Sequence, residues 1–225
     1  MKHVLLSRSE EDHLKAIHAL TASGGKVSTN SLSERLRTKA SSVTDMLKKL
    51  AEKGLVKHEP YHGATLTAKG GTLALRLVRK HRLWETFLVA RLGFGWNEVH
   101  EIAEQLEHVS SDKLVEKLDE YLGRPAFDPH GDPIPDKNGK MKERTLTRLS
   151  ECTEGEVVRL VAVNDPNDAL LEHLDRKEVA IGSRFRINAR LEYDGSMVLK
   201  VMSRTSSSIF DLSAQVADQL LVEKS

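Results

Sequence analysis

Cysteine and long apolar runs are nearly absent from this chain. Only one of the 225 residues is a cysteine, Cys152, which excludes an internal disulfide and a zinc site built from several thiolates. No stretch approaches the roughly 18 consecutive apolar residues that a membrane-spanning helix needs, and the first apolar run is too short for a signal peptide. We therefore expect a cytoplasmic protein with no membrane partner.

An excess of charge of one sign is missing as well. Lysine and arginine number 34 and aspartate and glutamate 33, which gives a formal net charge of +1. A general attraction to nucleic acid is therefore not predicted, and DNA binding would have to come from local clusters of basic residues. The length fits two or three small domains better than one large domain.

Residues 1–70 follow the pattern of a winged helix-turn-helix domain. Helical spacing of apolar residues predicts one helix from Ser9 to the glycines at 24 and 25, a short helix from Thr29, and a third helix capped by Ser41 or Ser42. Two short strands near 55–59 and 64–67 would form the wing. This order predicts that the third helix enters the major groove of DNA.

Candidate DNA contacts lie on and around that third helix and in the turn of the wing. Small polar residues would read bases, and basic residues would contact phosphates. The candidates are Arg37, Lys39, Ser41, Ser42, Thr44, Lys48, Lys49, Tyr61 and His62. Basic residues alone are more often a solvated face, and only the order of helices and wing favours DNA binding.

Two further domains are predicted, so the fold class is mainly α with a small β domain. Residues 71–140 predict three helices, from Gly70, near 97–109 and from Ser111, followed by a proline-rich connector at 124–140. We interpret the helices as a dimerisation unit and Trp96 as a packing residue. Residues 141–225 predict a β-barrel with strands at 156–163, 184–191 and 197–201, a helix near 169–174, and a final helix and strand within 211–222.

Carboxylate and imidazole side chains recur at metal-ligand spacing. Glu104, Glu107 and His108 lie at positions i, i+3 and i+4 of a predicted helix and so share one face, and His81 and Glu85 are four residues apart on another helix. Asp12 lies in the first helix. Solvated faces and simple ion pairs are the ordinary alternative for each group.

A metal-dependent hydrolase is a further alternative, but no nucleophile motif or phosphate loop accompanies these residues, so we predict neither an enzyme nor a small-molecule substrate.

Taken together, four segments resemble the diphtheria toxin repressor family of metal-dependent transcriptional repressors, in its three-domain form. They are Ser41 to Leu50, Arg76 to Glu85, Glu104 to Val109 and Pro129 to Pro135. A looser likeness at His173 to Ser183 is similar to the SH3-like (FeoA-like) domain of that family. The resemblance covers nearly the whole chain. It implies a metal-activated repressor of manganese or iron homeostasis genes that acts as a homodimer on double-stranded operator DNA.

The resemblance also implies two sets of metal ligands. The primary set is Asp12, Glu104, Glu107 and His108, and the secondary set is His81, Glu85, Asp128, His130 and Asp165. Asn167 and Asp168 are substitutes for Asp165, and His100 is a possible further ligand. Lys15 stands where short two-domain members carry a second acidic ligand, so their two-metal arrangement is not expected here.

The identity of the ion follows from the same comparison. Iron-responsive members typically carry Met and Cys at the positions of Asp12 and Glu104, whereas manganese-responsive members carry Asp and Glu. Oxygen ligands with one imidazole and no sulfur suit Mn²⁺ first and Fe²⁺ second, while Co²⁺, Ni²⁺ or Zn²⁺ could bind in vitro.

Repulsion between carboxylates would control the orientation of the DNA-binding domain. Without metal, acidic groups from two domains would face and repel one another, and a bound ion would join the first helix to the dimerisation helices. The alternative is a winged-helix regulator whose DNA affinity ignores metal and whose acidic cluster is structural.

Overall fold

A computed structural model describes residues 6–21, 25–59, 62–164, 166–202 and 208–224. Its N-terminal part contains three helices and a two-stranded antiparallel sheet. Their bounds are α1 Arg8–Thr21, α2 Thr29–Arg35, α3 Ala40–Glu52, β1 Val56–Glu59 and β2 Gly63–Leu66. The helices and the sheet enclose one apolar core, and their order is that of the predicted winged helix-turn-helix.

The start of α1 is fixed by a capping box at Ser7, two residues before the expected Ser9. The backbone N–H of Ser7 donates to Glu10 Oε2 over 2.8 Å, and the N–H of Glu10 donates to Ser7 Oγ over 3.3 Å. The buried carboxylate of Glu10 also lies 2.7 Å from Lys53 Nζ. This ion pair ties α1 to the end of α3.

The predicted cap of α3 by Ser41 or Ser42 is wrong. The helix begins at Ala40, and Lys39 is its N-cap, with extended backbone angles and no capping side chain. The N–H of Val43 already donates to the carbonyl of Lys39 over 3.1 Å, so both serines lie inside the first turn. Their side chains are exposed on the surface of the helix.

The middle of the chain forms three helices, α4 Ala68–Leu92, α5 Val99–Leu106 and α6 Asp112–Tyr121. Thr67 caps α4, so this helix begins before Gly70 rather than at it. A Cβ at Gly70 would lie 2.0 Å from the carbonyl oxygen of Leu55, and the glycine therefore allows α4 to approach the backbone before β1. Ser111 accepts a hydrogen bond from Leu114 N and caps α6 as predicted.

Helix α5 is shorter than predicted. It ends at Leu106, Glu107 is its C-cap with φ −63° and ψ −20°, and His108 follows in a turn. Because Glu107 keeps helical backbone angles, the expected spacing of the ligand candidates is largely retained beyond the regular helix.

The connector at 124–140 contains no helix, as its prolines predicted. Two arginines of α4 hold its backbone carbonyls: Arg79 donates to the carbonyl of Pro135 over 2.9 Å, and Arg82 donates to that of Pro133. Arg79 also lies 2.9 Å from the buried carboxylate of Asp119 on α6. These contacts place the connector against α4, next to its buried acidic and histidine side chains.

The C-terminal part is a six-stranded antiparallel sheet in the order β3-β8-β4-β5-β6-β7. The strands are β3 Thr147–Arg148, β4 Val157–Val163, β5 Arg184–Arg190, β6 Met197–Val201, β7 Ile209–Leu212 and β8 Leu220–Lys224. Helix α7 Asp168–Arg176 and helix α8 Ala214–Gln219 complete the domain, with a 3-10 turn at Leu149–Glu151. The predicted strands and both predicted helices are confirmed, and β3 and β7 are additional. Among the described ranges, no helix is long and apolar enough to cross a membrane.

Candidate metal centres and DNA-binding surface

The surface around α3 carries most of the predicted DNA contacts. Exposed side chains in this region are those of Arg37, Lys39, Ser41, Ser42, Lys48, Lys49 and His62. Arg37 lies in the turn between α2 and α3 with φ 49°, and His62 lies in the turn of the wing. Tyr61 is outside the described residues, so its placement stays a prediction.

Three of these candidates have partners within the chain. Thr44 Oγ1 donates to the carbonyl of Ala40 over 3.0 Å, and Lys48 Nζ lies 3.3 Å from Asp45 Oδ1. Lys49 Nζ lies 3.2 Å from the buried Glu10. Lys49 would therefore have to give up its ion pair with Glu10 to reach a phosphate. The exposed Lys39 and Arg37 have no ion-pair partner among the described residues.

The primary cluster consists of Asp12, Glu107 and His108. One ligand atom from each lies within 4.8 Å of the others. His108 Nε2 is 3.3 Å from Asp12 Oδ1 and 4.0 Å from Glu107 Oε1. Asp12 belongs to α1 and the other two follow α5, so the cluster spans the boundary between the DNA-binding domain and the helical domain.

Glu11 orients the imidazole of His108 in this cluster. Glu11 Oε2 lies 2.6 Å from His108 Nδ1, and a carboxylate accepts a hydrogen bond from that nitrogen. In the neutral ring the proton then lies on Nδ1, and the lone pair of Nε2 faces Asp12 and Glu107. Nε2 is buried and has no hydrogen-bond partner in the part of the chain that the structure describes. A carboxylate behind a ligating histidine is a common arrangement in metal sites, so the residues present fit a divalent ion.

Lys15 and Glu104 alter the predicted primary set. Lys15 Nζ lies 2.7 Å from both oxygens of Glu107 and 3.7 Å from Glu104 Oε1. Glu104 lies outside the cluster, with 47% of its side chain exposed, and its Oε1 also lies 3.5 Å from His100 Nε2. The two domains therefore do not meet through carboxylates alone, as expected from the sequence, because the ammonium of Lys15 on α1 contacts Glu107 and Glu104 of the helical domain.

Burial and neighbouring charge set the acidity of this cluster. Burial raises the pKa of Asp12, and the positive charge that His108 carries when protonated opposes that effect. Burial also acts to raise the pKa of Glu107, but hydrogen bonds from His81 and the charge of Lys15 outweigh it and lower the pKa. Glu107 is therefore a carboxylate at neutral pH, as a metal ligand must be.

The secondary cluster is centred on Glu85 and contains His81, His100, Asp128 and His130. Glu85 Oε1 lies 2.9 Å from His81 Nε2 and 3.3 Å from His100 Nδ1. Glu85 Oε2 lies 3.9 Å from His130 Nδ1. The two oxygens thus face two groups, one with His81 and His100 and one with Asp128 and His130, and each group lies within 4.8 Å.

Strong electrostatic coupling marks the buried side chains of the secondary cluster. Burial and the charges of Glu85 and Asp132 raise the pKa of Asp128 to about 8. Burial favours the neutral form of His81, but its hydrogen bonds to Glu107 and Glu85 outweigh burial and raise its pKa to about 9. For Glu85, hydrogen bonds from His100 and His81 overcome burial and lower the pKa. The raised pKa values of His81 and Asp128 favour their protonated forms near neutral pH.

The proposed ligand from the C-terminal domain is not assigned. Asp165 lies outside the described residues, so its role stays a prediction. Of its two substitutes, Asn167 uses Oδ1 to accept a hydrogen bond from Leu170 N and caps α7, and Asp168 begins that helix.

Sequence reasoning did not identify Glu11 or the contact of Lys15. Glu11 and His108 are 97 positions apart, and Lys15 and Glu107 are 92 apart. Neither pair produces a local periodic pattern, and only the packing of α1 against the helical domain brings them together.

A winged helix-turn-helix joined to helices with two carboxylate–imidazole clusters defines a DNA-binding regulator with candidate divalent-metal centres. Residues 5–64 match the iron dependent repressor N-terminal DNA binding domain. Residues 67–136 match the iron dependent repressor metal binding and dimerisation domain, and residues 147–224 match the FeoA domain. The chain belongs to the diphtheria toxin repressor family of metal-dependent transcriptional repressors, which are DNA-binding proteins rather than enzymes.

Individual relatives agree with this assignment. The chain is 31% identical over 158 residues to the iron-dependent repressor IdeR of Mycobacterium leprae. The match covers 67% of this chain and 69% of that protein. A solved structure of a manganese-dependent transcriptional repressor complex with manganese is 38% identical, with a TM-score of 0.81 and coverage of 96% of this chain and 99% of that chain. The predicted family and fold class are therefore confirmed.

A different kind of relative matches only part of the chain. A probable metal transport system membrane protein of Chlamydia trachomatis is 47% identical over 91 residues, or 40% of this chain. The match spans 20% of that protein, so it shows a shared segment and not a shared activity.

Proposed function

We propose that this protein represses transcription by binding operator DNA when a divalent metal ion is bound, with Mn²⁺ the preferred ion and Fe²⁺ second. The buried Nε2 of His108 carries the proposal. Its lone pair faces Asp12 of α1 and Glu107 of the helical domain, at 3.3 Å and 4.0 Å. An ion held there would contact both domains.

The donor atoms favour a hard ion of this kind. The primary cluster offers carboxylate oxygens and one imidazole nitrogen, and none of its members contains sulfur. Such a set suits Mn²⁺ or Fe²⁺, although Co²⁺, Ni²⁺ and Zn²⁺ bind comparable sites in vitro. Glu104 is half exposed and would complete the primary set by turning away from Lys15. The secondary set comprises Glu85, His81, His100, Asp128 and His130, with Asp165 as its predicted member from the C-terminal domain.

Bridging of two domains explains how these residues would control DNA binding. A bound divalent ion supplies the positive charge that holds carboxylates of both domains together. Asp12 fixes α1, and α1 is tied to the recognition helix α3 through the ion pair between Glu10 and Lys53. Holding Asp12 beside His108 therefore restricts the orientation of α3 relative to the helical domain, which shifts the population toward one DNA-binding arrangement.

Dimer formation and location follow from the same function. Apolar side chains are exposed at the end of α4 and on α6, among them Leu92 at 56% and Tyr121 at 62%. We assign this surface to a homodimer, since two recognition helices are needed for two half-sites of double-stranded DNA. Action on operator DNA places the protein in the cytoplasm.

The test is binding of metal-stripped protein to its own promoter fragment with Mn²⁺, anaerobic Fe²⁺, Zn²⁺ or chelator. Binding that requires Mn²⁺ or Fe²⁺ and is lost in chelator supports the proposal and ranks the ions. The variant His108→Ala should lose metal-dependent binding while its thermal unfolding stays cooperative, and the matched variant His173→Ala on α7 should behave as the wild type. Equal binding of the wild-type protein in chelator would refute metal activation.

One observation favours a second function, that of a metal-independent regulator. Lys15 already joins α1 to Glu107 without an ion, over 2.7 Å. If this contact were sufficient, the acidic cluster would be structural and DNA binding would persist in chelator. Loss of binding in Lys15→Met but not in His108→Ala would identify that case.

A further inference from the structure

Trp96 physically joins the helical domain to the C-terminal domain. It precedes α5 in the chain, yet the residue is only 8% exposed and belongs to the apolar core of the C-terminal domain. Its indole Nε1 donates to Asp175 Oδ1 of α7 over 2.7 Å. Removal of the C-terminal domain from this position would expose the ring and break this hydrogen bond.

The backbone and ring of Trp96 also contact a member of the secondary cluster. His130 Nε2 lies 2.7 Å from the carbonyl oxygen of Trp96, and the two rings stack with centroids 6.2 Å apart and planes 17° from parallel. A carbonyl only accepts, so Nε2 carries a proton. In the neutral ring the lone pair is then on Nδ1, the atom that lies 3.9 Å from Glu85 Oε2.

His130 itself is held by the C-terminal domain. Its carbonyl accepts a hydrogen bond from Val163 N, at the end of β4, over 3.0 Å. The N–H of His130 donates to Asp128 Oδ1 over 2.9 Å, which links the other connector residue of the cluster to the same turn. His130 is therefore held from two sides, with its imidazole against Trp96 and its backbone bonded to β4.

We propose that Trp96 is a positioning residue that couples docking of the C-terminal domain to metal binding at the secondary cluster. The inference rests on the proposed function only in taking that cluster to bind metal. Docking of the C-terminal domain holds Trp96 in place, and Trp96 holds His130 with Nδ1 free to bind an ion. An ion bound by His130 Nδ1 and Glu85 would in turn hold His130 and Trp96 in the arrangement that the docked domain requires. Because such coupling is reciprocal, metal stabilises docking by the same factor by which docking strengthens metal binding.

The first test measures docking through the emission of Trp96. In the variant Trp84→Phe, Trp96 is the only tryptophan of the chain. Its emission maximum should shift to longer wavelength as urea releases the C-terminal domain, and Mn²⁺ should move that transition to higher urea than chelator does. This comparison is made in a His108→Ala background, so that an ion at the primary cluster does not contribute. An unchanged transition with Mn²⁺ would overturn the proposal.

The second test measures Mn²⁺ affinity in the same background, by the electron paramagnetic resonance signal of the unbound ion. Asp175→Ala should weaken binding at the secondary cluster about 10-fold or more, the range seen when groups behind metal ligands are removed. Asp175→Asn keeps an acceptor for the indole and should restore most of the affinity. Glu172→Ala, an exposed acidic residue of the same helix, should have no effect.

A double-mutant cycle separates coupling from general damage. Trp96→Phe removes the indole N–H and keeps the backbone carbonyl, so its effect on Mn²⁺ affinity should not add to that of Asp175→Ala. Additive losses, or equal losses in Asp175→Asn and Asp175→Ala, would contradict the assignment. Neither readout uses DNA, so promoter binding that ignores metal would refute the proposed function and leave this result standing.

Discussion

His81 Nδ1 lies 2.6 Å from Glu107 Oε2, so a member of the secondary cluster is in direct contact with a member of the primary cluster. Through its other nitrogen His81 lies 2.9 Å from Glu85. A protonated His81 therefore donates to two buried carboxylates and offsets their charge in the metal-free protein. A metal ion at either cluster would replace part of that positive charge. The proton of His81 therefore affects the carboxylates of both clusters.

This contact predicts that the metal-free protein loses stability as pH rises. His81 has a pKa raised from 6.5 to about 9, and Asp128 a pKa raised from 3.8 to about 8. For a raised pKa the folded state binds the proton more tightly, so the stabilisation is complete below the unfolded pKa and is lost as pH rises through the folded one. The windows are pH 3.8 to 8 for Asp128 and pH 6.5 to 9 for His81.

The measurement is the urea midpoint in chelator between pH 6 and pH 9. It should fall across this range, and the fall should be smaller in His81→Asn, which cannot hold the proton. The lowered pKa values of Glu85 and Glu107 act in the opposite sense but below pH 4.5, outside this window. A midpoint that is constant or rises from pH 6 to pH 9 would show that His81 is not protonated between the carboxylates.

Substitution of Glu11 should weaken the primary cluster without removing a ligand. Glu11→Ala leaves His108 Nδ1 without the carboxylate that lies 2.6 Å away, so the imidazole can turn or exchange tautomers. We expect Mn²⁺ affinity at this cluster to fall roughly 10- to 100-fold, as is typical when a group behind a metal-bound histidine is lost. Titration calorimetry measures this, with Glu34→Ala on the exposed surface of α2 as the control. An unchanged affinity in Glu11→Ala would argue against this role.

Lys15→Met should change metal-free stability and metal affinity in opposite directions. Lys15 Nζ bonds both oxygens of Glu107, whose side chain is 1% exposed, so the variant leaves a buried carboxylate with fewer partners. A hydrogen bond to a charged group contributes about 1.5–3 kcal/mol, and we expect a loss of that order in chelator. Mn²⁺ should bind more tightly, because a competing cation is gone.

Chelator and Mn²⁺ titrations of Lys15→Met and Lys15→Arg provide the comparison. The arginine variant keeps the charge and should resemble the wild type in both respects. Weaker Mn²⁺ binding in Lys15→Met would mean that Lys15 supports the site rather than competing for Glu107.

Spacing along the sequence predicted which site residues share a face of one helix. The spacing of Glu104, Glu107 and His108 predicted that they share one face, and Glu107 and His108 lie close to Asp12 even though α5 ends at Leu106. Glu104 is not part of that group, and its carboxylate instead lies 3.7 Å from Lys15, which belongs to another helix. Spacing along one element says nothing about charges supplied by a distant element.

Trp96 illustrates the same limit. Packing was the role expected of it, and it is buried. The partners of its polar atoms, His130 and Asp175, lie in the connector and in α7. Such contacts follow from the docking of domains, which no periodic pattern in the sequence records.

The turn at Gly131 provides a test of how closely the connector must approach the C-terminal domain. Gly131 has φ +90°, and a Cβ there would lie 2.0 Å from the carbonyl oxygen of Val161 and 2.6 Å from Ala162. Gly131→Ala therefore adds a steric clash with the backbone of β4 to the ordinary conformational cost of a left-handed alanine, roughly 1–2 kcal/mol. The connector can relieve the clash only by moving away from β4, and His130 would move with it.

Gly123→Ala isolates the conformational cost, because Gly123 has a similar φ of +78° and nothing within 4 Å of a Cβ. Gly131→Ala should lower the thermal midpoint more than Gly123→Ala and should also weaken Mn²⁺ binding at the secondary cluster, whereas Gly123→Ala should leave that affinity unchanged. Unfolding curves and Mn²⁺ titrations of both variants in a His108→Ala background measure the two effects. Equal behaviour of the two alanine variants would show that the close approach of the connector to β4 does not position His130.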